Sequence, residues 1–549
     1  MRLRILLTTL LGATTLVLAT TTPAPPGAAA RGGTPARSGQ LDQGQLLRGY
    51  LADTWRSFEA MTDAGTGLPS DNIGGDLDPA TRSRYTSPTN IGAYLWATVV
   101  ARDTGLIGAA EARKRMSRTI RTVTGLEKHE PSGMFYNWYD PATGAKLTTW
   151  PENGNPVYPF ASSVDNAWLA TGLLVAARAD SKVAPAADRI REAMDFGFYY
   201  NPAEGIRKDP ADTSTPVGGQ IRGGFWVEPP GDGTCNTPGN YRGGVDVYYT
   251  CHHYGAFNTE PRMASYLGIA AGQIPQRHYF GTERTFPPTC DWSWTETRPT
   301  GEWRSYLGVD VFEGTLPYRD LRVVPTWGGS MFEALMVPLF VPEETWGKRS
   351  WGVNHPLYVR GQIEHGLDDA GYGYWGFSPA NNPAGGYREY GVDALGMDGP
   401  GYTSDQERTD WDQPYEGCPD RAGEPAPTSY GDGVVTPHAS FLALRYAPQA
   451  ALANLRKLRE SFDIYGPGGF YDSVAVRTGT VSRKYLALDQ GMIIAALGNA
   501  LTGDDLRHYV SRGAMEQRLR PLMAMETFGS GTTSGTSRSS GTSGEGEAR

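Results

Sequence analysis

The sequence predicts an all-α protein, an α/α toroid with long aromatic, glycine-rich loops around a central cleft. Three observations carry that prediction. Apolar residues recur at helical spacing, the helical stretches fall in adjacent pairs, and long segments rich in Gly, Trp and Tyr separate the pairs. Met116, Ile120, Val123 and Leu126 keep a helical period among arginines and lysines, as do Leu452, Leu455, Leu458 and Phe462. Further helical stretches run over 41–63, 89–103, 163–179, 184–197, 261–272, 330–341, 350–366, 437–446, 485–501 and 505–523, about a dozen in all. Between the pairs lie Asp209–Tyr254 and Gly371–Gly431. Connections this long ordinarily form lids or binding walls.

The chain has 549 residues, 39% hydrophobic and 20% charged, which places it among globular proteins with a substantial core. Its net charge of −9 argues against a nucleic-acid partner, which needs a basic face. Met1-Arg2-Leu3-Arg4, the apolar run Ile5–Ala19 and the small residues Ala28-Ala29-Ala30 read as an export signal over 1–30. The run is shorter than a membrane span, so a secreted protein free of the membrane after cleavage is expected. A disordered leader is expected over 31–44, one domain over 45–525, and a Gly/Ser/Thr tail over 526–549. Four cysteines in an exported chain predict two disulfides. Cys235–Cys251 would close a local loop, which leaves Cys290 with Cys418; the absence of C-x-x-C spacing argues against zinc.

Chemistry enters with "GGSMFEALMVPLF", Gly328–Phe340, where one carboxylate, Glu333, stands in an apolar run. Ser330 and Glu333 have the spacing of a capping box. "FASSVDNAWLATGLLVAARA" places Asp165 three residues after Ser162, and "FNTEPRMASYLGIAAGQIP" places Glu260 just before Pro261, a residue favoured at a helix start. Each alone reads as a helix cap. Three such starts on apolar helices of one barrel would bring their first turns to a common rim. Glycoside hydrolysis uses that arrangement, with one protonated carboxylic acid and one carboxylate. A helix N-terminus lowers a carboxylate's pKa, so the acid must be lifted by burial or by a second carboxylate.

"YTSPTNIGAYLWA", "GMFYNWYDPATG", "SSVDNAWLATGLL", "EPRMASYLGIAAGQIP", "GGSMFEALMVPLF", "YWGFS" and "PHASFLALRYAPQAALANLRKL" occur in the order seen in the glycoamylase-like family. That family is related to secreted endo-β-1,2-glucanases and to a domain of cyclic β-1,2-glucan synthases. The resemblance runs from about residue 45 to 525. It implies an (α/α)6 toroid that hydrolyses β-1,2-glucan with inversion and without a cofactor. Glu260 then matches the general acid, Asp165 the alternative acid or the base, and Glu333 a third candidate. An inverting pair stands roughly 6.5–9.5 Å apart. Asn137, Trp138 and Asp140 of "YNWYD", together with Asn166, are expected at the substrate, and Arg262 is expected to orient a carboxylate or a sugar hydroxyl. Trp138, Trp168, Trp327 and Trp375 are candidate stacking platforms. Pro379 departs from the family, where several relatives carry a glutamate after W-G-x-S, and Met336-Val337-Pro338 departs from a "YLMP" ending.

Two rival readings stand beside this one. His252, His253 and Tyr254 of "CHHYG" are proton-abstracting types that a polysaccharide lyase could use, although no arginine cluster accompanies them. A glycan-binding protein without activity is the other. Asp71, Asp76 and Asp78 lack the spacing of a calcium loop and read as turn caps. The expected partner is a glycan, and the expected state a monomer.

Overall fold

The structure is a computed structural model that describes residues 36–286, 298–397 and 431–533. The chain divides into Met1–Gln45 and Leu46–Arg549. Of the first unit only the opening of the helix Ala36–Met61 is described.

In the second unit six helices form a closed circuit: Pro88–Asp103, Ser163–Ala179, Arg262–Ala271, Met331–Leu335, Pro437–Leu442 and Ala487–Thr502. Helix–helix packing makes every link but one. The remaining link, from the third helix to the fourth, is made by Arg262, which donates to the carbonyls of Glu333 and Ala334 at 2.8 and 2.7 Å. These helices are buried on nearly every side, which is why "AYLWATVVA" and "AWLATGLLVAA" are apolar without a polar face. Outer helices with one apolar stripe lie against them. Ala109–Gly125 covers the first, Ala184–Ala193 the second, Ala514–Met525 the third and Pro448–Ser461 the fifth. The stretch expected as one helix over 330–341 splits into Met331–Leu335 and a short 3-10 turn, Val337–Leu339, because Pro338 has no N–H to continue the ladder.

The all-α expectation needs correction. The segment 209–254, expected as a loop, carries four short strands. Phe160–Ser162, Gly224–Trp226, Val247–Thr250 and Asn236–Gly239 form an antiparallel sheet in that spatial order. A second sheet joins Thr300–Tyr306, Val309–Tyr318, Leu321–Val323 and Gly531–Thr532. Most of these strands have four residues or fewer, too short for a period-2 pattern to register. Packed structure also passes the boundary expected at 525. Glu526 is fully buried against Arg284, and Phe528 packs on Trp351. Cys235 and Cys251 are disulfide-bonded, whereas Cys290 and Cys418 lie outside the described residues. Among the described residues no helix is long and apolar enough to cross a membrane.

One crossing sets the geometry of the rim. The first two circuit helices touch backbone to backbone at Gly92 and Gly172. A Cβ on Gly92 would stand 2.3 Å from the carbonyl oxygen of Trp168, and one on Gly172 would stand 2.5 Å from that of Gly92. This approach lets Thr89 donate to Asp165 Oδ1 at 2.7 Å. Gly172→Ala is therefore expected to destabilise the protein by about 1–3 kcal/mol through overpacking. A chemical-denaturation midpoint equal to that of the parent would contradict the tight crossing.

Candidate active site

The three helix starts converge. Asp165, Glu260 and Glu333 line one cavity of about 740 Å³. The capping reading is half met. Ser162 accepts from the amide of Asp165 at 3.2 Å, and Ser330 from the amide of Glu333 at 3.3 Å. The carboxylates do not return those bonds, however. Asp165 takes the Thr89 hydroxyl, and Glu333 Oε2 takes the backbone N–H of Glu260 at 2.5 Å. Glu260 Oε1 accepts from the indole N–H of Trp168. Because serine satisfies the helix end, the acids are left to face the cavity.

Their environment raises all three. Burial lifts the Glu260 carboxyl well above the usual range, and the charges of Glu333 and Asp165 lift it further. The Trp168 N–H and the Arg262 charge oppose them. Burial also pushes Glu333 up to about 7 against the Glu260 amide and Arg262. It raises Asp165 against the hydroxyls of Thr89, Ser162 and Ser87.

Further carboxylates surround this trio without having been singled out in the sequence as acids of the site. Asp71 lines the cavity and accepts from Asn90 at 2.9 Å and Asn72 at 3.1 Å; Glu389 lines it too. Asp472 and Asp489 are buried, and the charge of Asp489 adds to burial in raising Asp472. Burial raises both, Asp489 to about 7. Neither "FYDSV" nor "ALDQG" carries a capping serine to draw notice.

Of the expected sugar contacts, Trp138 and Trp327 line the cavity. Tyr85, Trp150 and Tyr387 join them, and these sequence reasoning missed. Trp150 stands 4.6 Å from Tyr85 and 5.2 Å from Trp138, centroid to centroid. Their only signal was aromatic residues in Gly/Pro-rich loops.

The other expected contacts lie elsewhere. Trp168 is fully buried between Trp96 and Phe340 and holds Glu260 from beneath. Trp375 is core, 2% exposed. Asn166 is fully buried and clamps the backbone of Phe135 and Ser162. Asn137 bonds through its own amide to Phe160, and Asp140 closes a turn on Ala142 and Thr143. Arg262, 4% exposed, is an interior tie and not a sugar contact. Asp78 caps Ala80 and Asp76 accepts from Asp78, both turn bonds. Among the described residues no group of three or more His, Cys, Asp or Glu is placed to hold a metal.

A helical circuit enclosing an acidic, aromatic-lined cleft is the class that the fold and the site define. Residues 293–506 match the family model described as "Glycoamylase: Putative glucoamylase". The chain is 25% identical over 550 residues to the cyclic β-(1,2)-glucan synthase NdvB of Rhizobium meliloti (strain 1021). That match takes in 84% of this chain but 18% of the relative's length. Among solved structures, an endo-β-1,2-glucanase from Chitinophaga pinensis, bound to sophorotriose and glucose, has a TM-score of 0.56 at 16% identity. It covers 87% of this chain and 97% of its own. An endo-β-1,2-glucanase from Talaromyces funiculosus, bound to sophorose, has a TM-score of 0.57 at 11% identity and covers 89% of each chain. The resemblance to the glycoamylase-like family read from the motifs is thus met in sequence and in fold.

The raised carboxyls carry a sign that can be checked. A carboxyl lifted on folding keeps its proton while the unfolded chain loses its own. The stability it contributes is full below about 4.5 and is lost as pH rises through about 7. Glu333→Gln removes that loss. The melting temperature of the variant relative to the parent is expected to climb between pH 5 and 8. A difference independent of pH would show that Glu333 titrates normally.

Proposed function

We propose that this chain is a glycoside hydrolase that cleaves β-1,2-glucan by an inverting acid/base mechanism, at the open end of an (α/α)6 toroid. The observation that carries this reading is the seat of Glu260. It lies in a sugar-sized cavity, held by the Trp168 indole, bonded through its amide to Glu333, and flanked by a third carboxyl on the neighbouring helix.

Glu260 is the general acid. Burial and two carboxyl neighbours keep its proton on until the leaving oxygen takes it. Asp165 is the base that activates water, fixed by Thr89 and by the cap at Ser162. Glu333 holds the Glu260 turn and supplies part of the field that raises it. Trp138, Trp150 and Trp327 offer faces to the C–H side of glucose rings. Hydrolysis by this route asks for no cofactor. A secreted protein suits a polymeric substrate, and the Cys235–Cys251 disulfide is consistent with an oxidising compartment. Among the described residues that line the cavity Lys484 is the sole cation, which favours a neutral glucan over the uronate that a lyase must neutralise.

Glu260→Gln is expected to lower turnover of β-1,2-glucan about 10²–10⁴-fold while affinity for the glucan survives. Unchanged turnover would remove Glu260 from the reaction. Release of unsaturated, ultraviolet-absorbing ends by the parent would instead establish lyase chemistry. The pH profile adds a finer test. Activity should fall as pH rises through the raised value of Glu260. Trp168→Phe deletes the N–H that favours the ionised form, so the alkaline limb should move upward. A downward move would contradict the assignment.

A further inference from the structure

The starts of the circuit helices carry the acids, and the opposite ends of the same helices close on another cavity. Its volume is about 410 Å³, within the ordinary range of ligand clefts, roughly 300–1,000 Å³. Pro342 and Thr345 enter it shortly past the fourth circuit helix, Arg445 past the fifth and Asp504 past the sixth. The sixth helix, Ala487–Thr502, has 16 residues, so its length of about 24 Å separates this cavity from the catalytic one.

The charge here is the reverse of that in the catalytic cleft. Among the described residues that line the cavity are Arg445, Arg507, Arg512 and Arg520, against two acids, Asp504 and Glu516. Three of the arginines are answered. Arg445 pairs with Asp504, Arg507 with Glu344 at 2.6 Å, and Arg520 with Glu516 at 2.8 Å. His508 leans to Asp505 at 3.9 Å. Among the described residues the Arg512 guanidinium has no ion pair and no hydrogen bond.

Other donors gather with Arg512 and have nothing to bond. Ser511 is 8% exposed, lines the cavity, and its hydroxyl meets no acceptor among the described residues. Arg507 is 3% exposed, and its Nε–H has no partner. The helix Ala514–Met525 opens beside them on Gly513, which brings no side chain to cap the first amides. The Arg178 guanidinium, also unpaired among the described residues, lies 3.7 Å from where a Cβ on Gly513 would stand. Buried polar groups are ordinarily paired, so several unpaired donors around one hollow mark a place for acceptors. A free guanidinium, a hydroxyl and an uncapped helix start together match a phosphate group.

The geometry points to this cavity as a binding site for a phosphate group carried by a small molecule. Arg512, the Ser511 hydroxyl and the first amides of Ala514–Met525 grip the phosphate. The space left over takes a body the size of glycerol or a sugar, against Pro342 and Trp346. The carboxyl-walled catalytic cleft repels such a ligand, so this inference stands apart from the glucanase reading.

The test uses the full chain at about pH 8, where a phosphate monoester is close to doubly charged. Glycerol 3-phosphate, inorganic phosphate and uncharged glycerol are titrated by calorimetry at fixed ionic strength, into the parent and into Arg512→Ala and Ser511→Ala. Thermal melting verifies the folding of each variant. Arg512 is exposed and unbonded, and Ser511→Ala carries the test should Arg512→Ala fail to fold. Glycerol 3-phosphate should saturate one site per chain and raise the melting temperature. Arg512→Ala should weaken it about tenfold and Ser511→Ala severalfold, while Glu260→Gln leaves it unchanged. Inorganic phosphate should bind more weakly than the ester, and glycerol not at all. Absence of saturable binding, equal affinity in both variants, or a loss confined to Glu260→Gln overturns the site. Inorganic phosphate binding as tightly as the ester overturns the carried body. None of these outcomes touches the hydrolase.

Discussion

Arg262 ties the site together. Its five N–H bonds are all used: two to Glu343, at 2.8 and 3.0 Å, and one each to the carbonyls of Thr259, Glu333 and Ala334. Its guanidinium also lies over Trp351. A buried ion pair is worth keeping only where every donor is satisfied, and removing one partner costs about 3–5 kcal/mol. The tie matters because Met331–Leu335 is a helix of five residues, too short to hold its own shape. Through Arg262 that turn is fixed to the turn bearing Glu260, and Glu333 meets the Glu260 amide as a result. The charge of Arg262 is also spoken for. Glu343, bonded to His355 and Tyr266 as well, is held down to about 2 and stays ionised. A cation therefore sits close beneath the acids with its charge largely cancelled, and Glu260 can remain protonated.

The same logic resolves the conflict between capping and catalysis. A carboxylate that completes a capping box is ionised and bonded to its own helix, and so it is of little use to a substrate. Here Ser162 and Ser330 take the helix amides, and the neighbouring acids turn outward. Crowding then does the rest. Asp71, Asp165, Glu260 and Glu333 all face one cavity, and burial raises each of them, so the cleft favours the protonated forms. Sugar hydroxyls donate well to such a wall, which is why an acidic cleft and a neutral polyol are complementary.

What could be read from the sequence follows from how local each signal is. Helix starts announce themselves within four residues, through Ser162 before Asp165, Ser330 before Glu333 and Pro261 after Glu260, so the acids and their convergence were legible. The sheets were not, because a strand such as Gly224–Trp226 owes its existence to partners at 160–162 and 247–250. Direction was the other blind spot. Trp168 lies one turn beyond Asp165 on the same helix face, which reads as a second residue at the rim. One turn deeper, though, the interior is already closed by Trp96 and Phe340, so the indole reaches Glu260 from below. Asp472 and Asp489 were invisible for a related reason: they come together from two segments that share no local motif.

The spacing of the acids is consequently a property of the backbone. Asp165 stands in the first turn of one circuit helix, and Glu260 lies just before the start of the next. The helix bearing Asp165 is seated against its other neighbour by bare glycine contact at Gly92 and Gly172, where no side chain can adjust the gap. Glu260 is set by the Arg262 tie and by the Trp168 indole that rises from the Asp165 helix itself. Side-chain rotation alone therefore changes the separation little. In glycoside hydrolysis that separation decides whether a water molecule fits between the carboxyls. With Glu260 as the proposed acid and Asp165 as the proposed base, stereochemical outcome follows from how closely the two segments that carry them pass.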